Sequence, residues 1–412
     1  ALFSGLCTVL LVVSILVAIG LFAGAEIWVS LLAPGFDPDR RQVATTMLQV
    51  LALALPAYVV SGLFASVDLA WGRGTLSAAR ASLQSLGLIV GTLAASWLGM
   101  PSLIALGFVA AYLIFAFMGG RVALGAGLSL RPVWRLTPEI RQGLVDLFKV
   151  FRVLIWIPIA FQINGVIERR VASLVSPDAM AAVDYARFIT ETLIILVAMP
   201  FGLAGLSTMA SMDDAAFRQA KLGAFRALLY VGLPLSALLV ANATLVISVV
   251  FERGAFGAGS VAVTAQILSG MAIGIWGQLL GYAGAKFLSA RGQNAGALIA
   301  SLAGVACSVA ILLLGQSSLG TAVLGVAAAA QGIVFGAFVL WRLGVVRELA
   351  GELSSLLVLA LLYCAVVAPM LHDAAPNLWL NALVALVFWL VALIALPWHR
   401  RSVMQARSLL KR

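Results

Sequence analysis

Apolar residues come in blocks of helical length along the whole chain, parted by short stretches of turn residues and charges. The blocks lie near 6–32, 43–69, 82–99, 102–124, 144–172, 183–210, 220–250, 262–287, 294–314, 319–345, 354–371 and 377–397. These are about twelve candidate spans, each close to or above the ~20 residues a helix needs to cross a bilayer. The breaks carry turn chemistry, as in "APGFDPDR", "SPDA", "ARGQN" and "HDAAPN". No stretch shows the period-two alternation that a membrane β-barrel requires. The pattern predicts an all-α, polytopic membrane protein.

Composition points the same way. The chain is 63% hydrophobic and 10% charged, too few charges to cover the surface of a soluble fold of 412 residues. Lys and Arg fix an orientation. With the first residue inside, only Arg40, Arg41, Arg169, Arg170 and Arg253 fall at outer loops, Arg187 lies in or near a span, and the other basic residues gather on the inner side. The C-terminus is then cytoplasmic. The net charge of +10 follows from this topology, so no nucleic-acid partner is implied. Trp134, His372 and His399 read as interfacial residues. Cys7, Cys307 and Cys364 stand alone in apolar runs and form neither a disulfide framework nor a metal pattern.

Two stretches are related. "LLAPGFDPDRRQVATTMLQVLALALPAY" from Leu31 parallels "VVFERGAFGAGSVAVTAQILSGMAIGIW" from Val249, and "AWGRGTLSAARASLQSL" from Ala70 parallels "LSARGQNAGALIASLAG" from Leu288. Both comparisons share an offset of about 220 residues and the same in–out sense, the mark of a parallel repeat. The expected organisation is a shortened first lobe of four spans over 1–124 and a cytoplasmic interfacial linker over 125–143. A second lobe of six spans follows over 144–345, then an extra helix pair with a basic tail over 346–412. Two pseudo-symmetric lobes around a central cavity are expected, with two spans lacking at the start of the first. Gly270, Gly274, Gly277 and Gly281 recur at helical spacing and predict a seam for close helix packing.

Charges inside spans are costly, about 2.5–3.5 kcal/mol at mid-helix on insertion scales. Asp184, Arg187 and Glu191 in "DYARFITET" nevertheless share one helix face at i, i+3 and i+7. In the preceding span, "FQINGVIERRVAS" places Gln162, Asn164, Glu168 and Arg169 along one half-helix. Two readings follow. The residues could finish a helical hairpin at the interface, or Arg187 could face a wet cavity and bind an anion, held by the acids. No lysine follows a glycine in the manner of a P-loop, and no hydrolytic triad or H-E-x-x-H motif occurs, so neither an enzyme nor a cofactor is expected. Transport would draw on a cation gradient, the membrane potential or the substrate's own gradient.

The stretch "QINGVIERRVASLVSPDAMAAVDYARFITETL", together with "LLAPGF", "FERGAF" and "ARGQN", resembles the MurJ/MviN family of the multidrug/oligosaccharidyl-lipid/polysaccharide exporter superfamily. The resemblance implies a fourteen-helix flippase for lipid-linked peptidoglycan precursor (lipid II), in which this chain begins at the third helix. It implies an undecaprenyl-linked glycan as substrate, membrane lipids as neighbours, a multi-pass place in the bacterial inner membrane and a monomeric state. It places the family's cavity arginine at Phe188, with Arg187 beside it. It matches Glu168 to the seventh helix's acid, the ion-coupling candidate. The eleventh-helix partners of a sodium site fall near Cys307 and Ile311. The alternatives are a flippase for another polyprenyl-linked saccharide, or a cation-coupled multidrug exporter of the same superfamily.

Overall fold

The computed structural model describes residues 2–71, 75–133, 137–176, 178–203, 212–370 and 378–395. Arg73, Trp134, His372, His399 and the basic tail fall outside them. Among the described residues every regular element is helical. The chain divides into two compact units, Ala1–Arg152 and Val153–Arg412.

The first unit contains α1 (Leu2–Ala23), α2 (Ala25–Leu32), α3 (Pro38–Ala52), α4 (Leu55–Ala70), α5 (Thr75–Leu98) and α6 (Ser102–Gly125), and most of α7 (Pro138–Leu154). The second holds α8 (Trp156–Val175), α9 (Ala179–Leu203), α10 (Asp214–Phe251), α11 (Ala258–Ile273), α12 (Ile275–Ala290), α13 (Asn294–Leu319), α14 (Ala322–Arg342), α15 (Val346–Leu362), a π turn over Tyr363–Val367, and α16 (Leu378–Ala395).

The internal repeat is visible in the breaks. Helices α3 and α4 form a pair bent by 47°, and α11 and α12 a pair bent by 51°. Pro38 starts the first pair and Ala258 the second, while Ser102 starts α6 and Ala322 starts α14; both steps are about 220 residues, the offset read from sequence. Gly24 separates α1 from α2, and at the matching place α10 kinks at Asn242, with φ −118° and ψ 20°. Packing repeats too. Helix α1 lies on α3 and α4, and α6 on α3, α4 and α5; α10 lies on α11 and α12, and α14 on α11, α12 and α13. Gly99 and Gly320 follow α5 and α13 with φ of 66° and 53°, a left-handed conformation that a side chain would strain. Helices α8 and α9 have no counterpart among the described residues of the first unit.

The glycine seam packs helix against helix. Gly270 faces Gly325, Gly274 faces Ala329 and Gly277 faces Gly332, so α12 and the end of α11 lie backbone to backbone on α14. In a bilayer, where burying apolar surface gives little net gain between helices, such close approach supplies the dispersion contacts that hold them together. Outside the repeat, α15 clamps onto α10 through Arg226–Glu352 at 3.0 Å and the Arg218–Glu348 ion pair, and sends Leu349 and Leu356 into the core.

Within the described residues the expected spans fall on helices, but four of the blocks are broken: 6–32 at Gly24, 43–69 and 262–287 at the bends, and one more. The block at 144–172 is two elements, because α7 ends at Leu154 and α8 starts at Trp156. Among the described residues seven helices are long and apolar enough to cross a membrane, and up to nine if each bent pair counts as one span. Of the remaining expected spans, α8 and α9 carry charges, and the apolar part of α16, Trp379–Ala392, is short.

The turn into α3 rests on Asp37, whose Oδ1 accepts the Arg40 N–H at 2.8 Å ahead of Pro38. An N-cap of this kind is worth about 1 kcal/mol. Asp37→Ala is expected to lower stability by about that much in chemical unfolding in detergent, and Asp37→Ser to stay near wild type.

Candidate functional site

Helices α8 and α9 form a hairpin in which each packs chiefly on other helices, α8 on α13 and α9 on α11 and α12. Ala172, Ala179, Ala182 and Ala186 are buried in an apolar cluster that includes Ala265, Leu268 and Leu312 of those neighbours. On α9 the buried set 179, 182, 183 and 186 keeps helical spacing, and Arg187 emerges at its edge. Polar side chains of the two helices meet across the hairpin.

Glu168 is 3% exposed and accepts two hydrogen bonds from one guanidinium. Arg187 Nε donates to its Oε2 at 3.0 Å, and Arg187 Nη2 donates to the same oxygen. One turn on, Arg187 Nη1 lies 3.6 Å from Glu191 Oε1. Arg187 thus stands between a buried carboxylate and an exposed one. A second, exposed pair joins the hairpin, Arg169 Nη2 to Asp184 Oδ1 at 3.3 Å. Phe188 turns away from the network, 61% exposed and edge-on to Phe251.

Arg187 and Glu191 also line a cavity of about 170 Å³ with Thr190, Gln278, Tyr282 and Gln331. Asn164 is buried and donates from Nδ2 to Gln331 Oε1 at 3.1 Å, while its own Oδ1 has no hydrogen-bond partner among the described residues. Asn164 therefore ties α8 to α14 at the cavity wall. Gln162 is exposed on α8 and is not among the lining residues.

Sequence reasoning did not find Gln278, Tyr282 or Gln331. The signal was there: Gln278 and Gln331 each interrupt an apolar span, in "IWGQLLG" and "AAAAQGIVF", and an amide within a span needs a partner. The polar partner of α8 comes from α14, through Gln331. Of the two α13 positions named above, Ile311 packs in an apolar cluster and Cys307 is partly buried.

The "FERGAF" turn has a structural task here. Gly254 takes φ 60°, which brings Phe256 back beside Phe251, and both rings flank Tyr185 at 4.8 and 5.0 Å. Tyr185 lies two residues before Arg187, so this clasp sets the rotation of α9 and with it the arginine.

The geometry places one guanidinium in the α8–α9 hairpin, with two carboxylates as partners, beside a mostly apolar cavity into which Thr190, Gln278 and Gln331 bring polar groups. Such a group can bind an anion by exchanging a carboxylate for it, or pass a carboxylate to a cation.

A family model described as "Lipid II flippase MurJ" matches residues 1–396. Among curated proteins, a "Probable lipid II flippase MurJ" of Synechocystis sp. is 29% identical over 290 residues, covering 63% of this chain and 51% of that protein. One of the same description from Thermotoga maritima is 27% identical over 248 residues, covering 60% and 49%. The chain spans about half the length of the curated relatives it matches. A solved structure of lipid II flippase MurJ in an inward closed conformation superposes with a TM-score of 0.81 at 16% identity, over 95% of this chain and 82% of that one. The MATE transporter VcmN of Vibrio cholerae gives 0.59 at 15% identity, over 84% and 79%. At these identities the structures speak for the fold.

Proposed function

The chain belongs to the lipid II flippase MurJ family, and we propose that it moves a polyprenyl-linked glycan, lipid II, across the bacterial inner membrane by alternating access. The observation that carries this reading is Arg187, a guanidinium held by Glu168 and Glu191 at the wall of a cavity that Thr190, Gln278 and Gln331 also line. A diphosphate headgroup cannot cross hydrocarbon with its hydration stripped and nothing in return. The guanidinium fork replaces lost water with charge-assisted hydrogen bonds.

The pairing with Glu168 gives the site a means of coupling. Arg187 is already neutralised, so an incoming phosphate competes with Glu168 for the same N–H groups. A proton or a cation on Glu168 relieves that competition. By linkage, each ligand then strengthens the other's binding. Asp184 with Arg169 closes the hairpin's exposed end, while Asn164, Gln331 and Gln278 offer neutral partners to saccharide hydroxyls. Gln162, exposed beside them on α8, would meet the glycan only as it enters. No cofactor is required, and the chain acts as a monomer with its C-terminus in the cytoplasm. An arginine that a diphosphate can reach favours this reading over a multidrug exporter, whose cationic substrates call for acids and aromatics.

The test is complementation. The complete gene should restore growth to a bacterium depleted of its own lipid II flippase. Lysis, with the protein shown to be present in the membrane, would overturn the proposal.

A further inference from the structure

Several arginines of the second unit meet acids: Arg187 meets Glu168, Arg226 meets Glu352 and Arg291 meets Asp214. An arginine of the first unit has different surroundings. Arg80 lies at the start of the apolar span Ala79–Leu98 and meets tyrosines. Its Nε donates to the Tyr112 hydroxyl at 3.3 Å, and that hydroxyl donates to Gln84 Oε1 at 2.7 Å. The guanidinium carbon stands 4.7 Å from the centre of the Tyr58 ring and 5.7 Å from that of Tyr112. No carboxylate pairs with it among the described residues.

This cluster is built. Tyr112 is 2% exposed and fixed by Gln84, by the Tyr58 ring at 4.9 Å and by Phe108 at 4.7 Å. Three helices contribute: α4 gives Tyr58, α5 gives Arg80 and Gln84, and α6 gives Tyr112 and Phe108. Cation–π contact lowers the cost of holding a guanidinium among apolar spans but leaves its charge in place. Tyr58 is exposed, so the cluster opens to its surroundings. An anion with several acceptor oxygens suits such a site, because the fork can meet two of them together.

We propose that Arg80, Tyr58 and Tyr112 form a phosphate-binding site in the first unit, taking a phosphate group that carries net negative charge. It shares no residue with the Arg187 network and does not rest on the flippase reading: any lipid with an anionic phosphate, or a free phosphate ion, has the chemistry required.

The probes are dioleoyl phosphatidate, dioleoyl phosphatidylcholine and inorganic pyrophosphate, added to the purified full chain in detergent, with bound lipid counted by native mass spectrometry. Phosphatidate is expected to be retained more strongly than phosphatidylcholine. Arg80→Gln should weaken its binding about tenfold and Arg80→Lys about threefold, since lysine keeps the charge and loses the fork. The Arg80 variants are compared again in an Arg187→Gln background, where phosphatidate retention should still depend on Arg80; this separates the site from the one proposed above. Displacement by millimolar pyrophosphate would support recognition of the phosphate group alone; phosphatidate binding that pyrophosphate does not displace would support a lipid-borne phosphate. Equal retention of the two lipids, or equal phosphatidate retention by wild type and a folded Arg80→Gln, would overturn the proposal. Should Arg80→Gln fail to fold, unchanged binding in Arg80→Lys would overturn it.

Discussion

Arg187→Ala is expected to abolish growth in the complementation assay while the protein still inserts in the membrane. Removing the guanidinium strips Glu168 of both its hydrogen bonds, and a buried charge left without its partner costs about 3–5 kcal/mol. Part of the defect would then be stability, and a second variant separates the two effects. In Arg187→Met with Glu168→Gln no stranded charge remains, so stability should recover most of the loss and growth none of it. Arg187→Lys should restore growth in part, because an ammonium supplies charge but not two parallel N–H groups. Normal growth of the double variant would reduce the network to a structural ion pair and remove the argument for a phosphate at this place.

The fold was legible because the bilayer imposes a simple rule: each span satisfies its backbone internally, so apolar blocks of sufficient length become helices. The repeat was legible for a different reason. Breaks in helices need turn residues and caps, and "PGFDPD" and "RGAFGAG" sit at matched positions ahead of the two bent pairs. The separation of α7 from α8 was not legible, since apolar residues run without interruption through 153–157 and Ile155, between the two helices, itself keeps helical dihedrals, φ −63° and ψ −26°. At the site, the charged residues stood out because charge is rare in spans. Their pairing did not. Asp184, Arg187 and Glu191 share a face by helical spacing, yet Asp184 pairs with Arg169 across the hairpin, and the strongest partner of Arg187 is Glu168 on the other helix. Local periodicity describes one helix at a time, and which acid an arginine meets across a hairpin depends on how each helix is seated on its neighbours, α8 on α13 and α9 on α11 and α12. Gln331 and Gln278 lie far along the chain, and only the packing of α12 against α14 places them by the cavity.

That packing is the target of the second large expected effect. A methyl group on Gly277 would lie 2.5 Å from the carbonyl oxygen of Gly332 and 2.8 Å from the Cα of Ile333, both backbone atoms that no rotamer change can move. Gly277→Val must push α12 and α14 apart. Overpacking of this kind costs about 1–3 kcal/mol in an ordinary core, and a backbone-to-backbone contact falls at the upper end or beyond. Apparent melting in detergent should drop steeply for Gly277→Val and less for Gly277→Ala. Gly62→Ala is the control: nothing lies within 4 Å of its added methyl, and alanine favours a helix over glycine by about 1 kcal/mol, so stability should hold or rise. The consequence reaches the site, because Gln278 follows Gly277 and Gln331 precedes Gly332, and both line the cavity with Arg187. Growth should therefore fail in Gly277→Val at temperatures where the protein is still folded. A valine variant that melts like wild type would show that the two helices do not lie backbone to backbone at Gly277, and that the seam does not position the cavity wall.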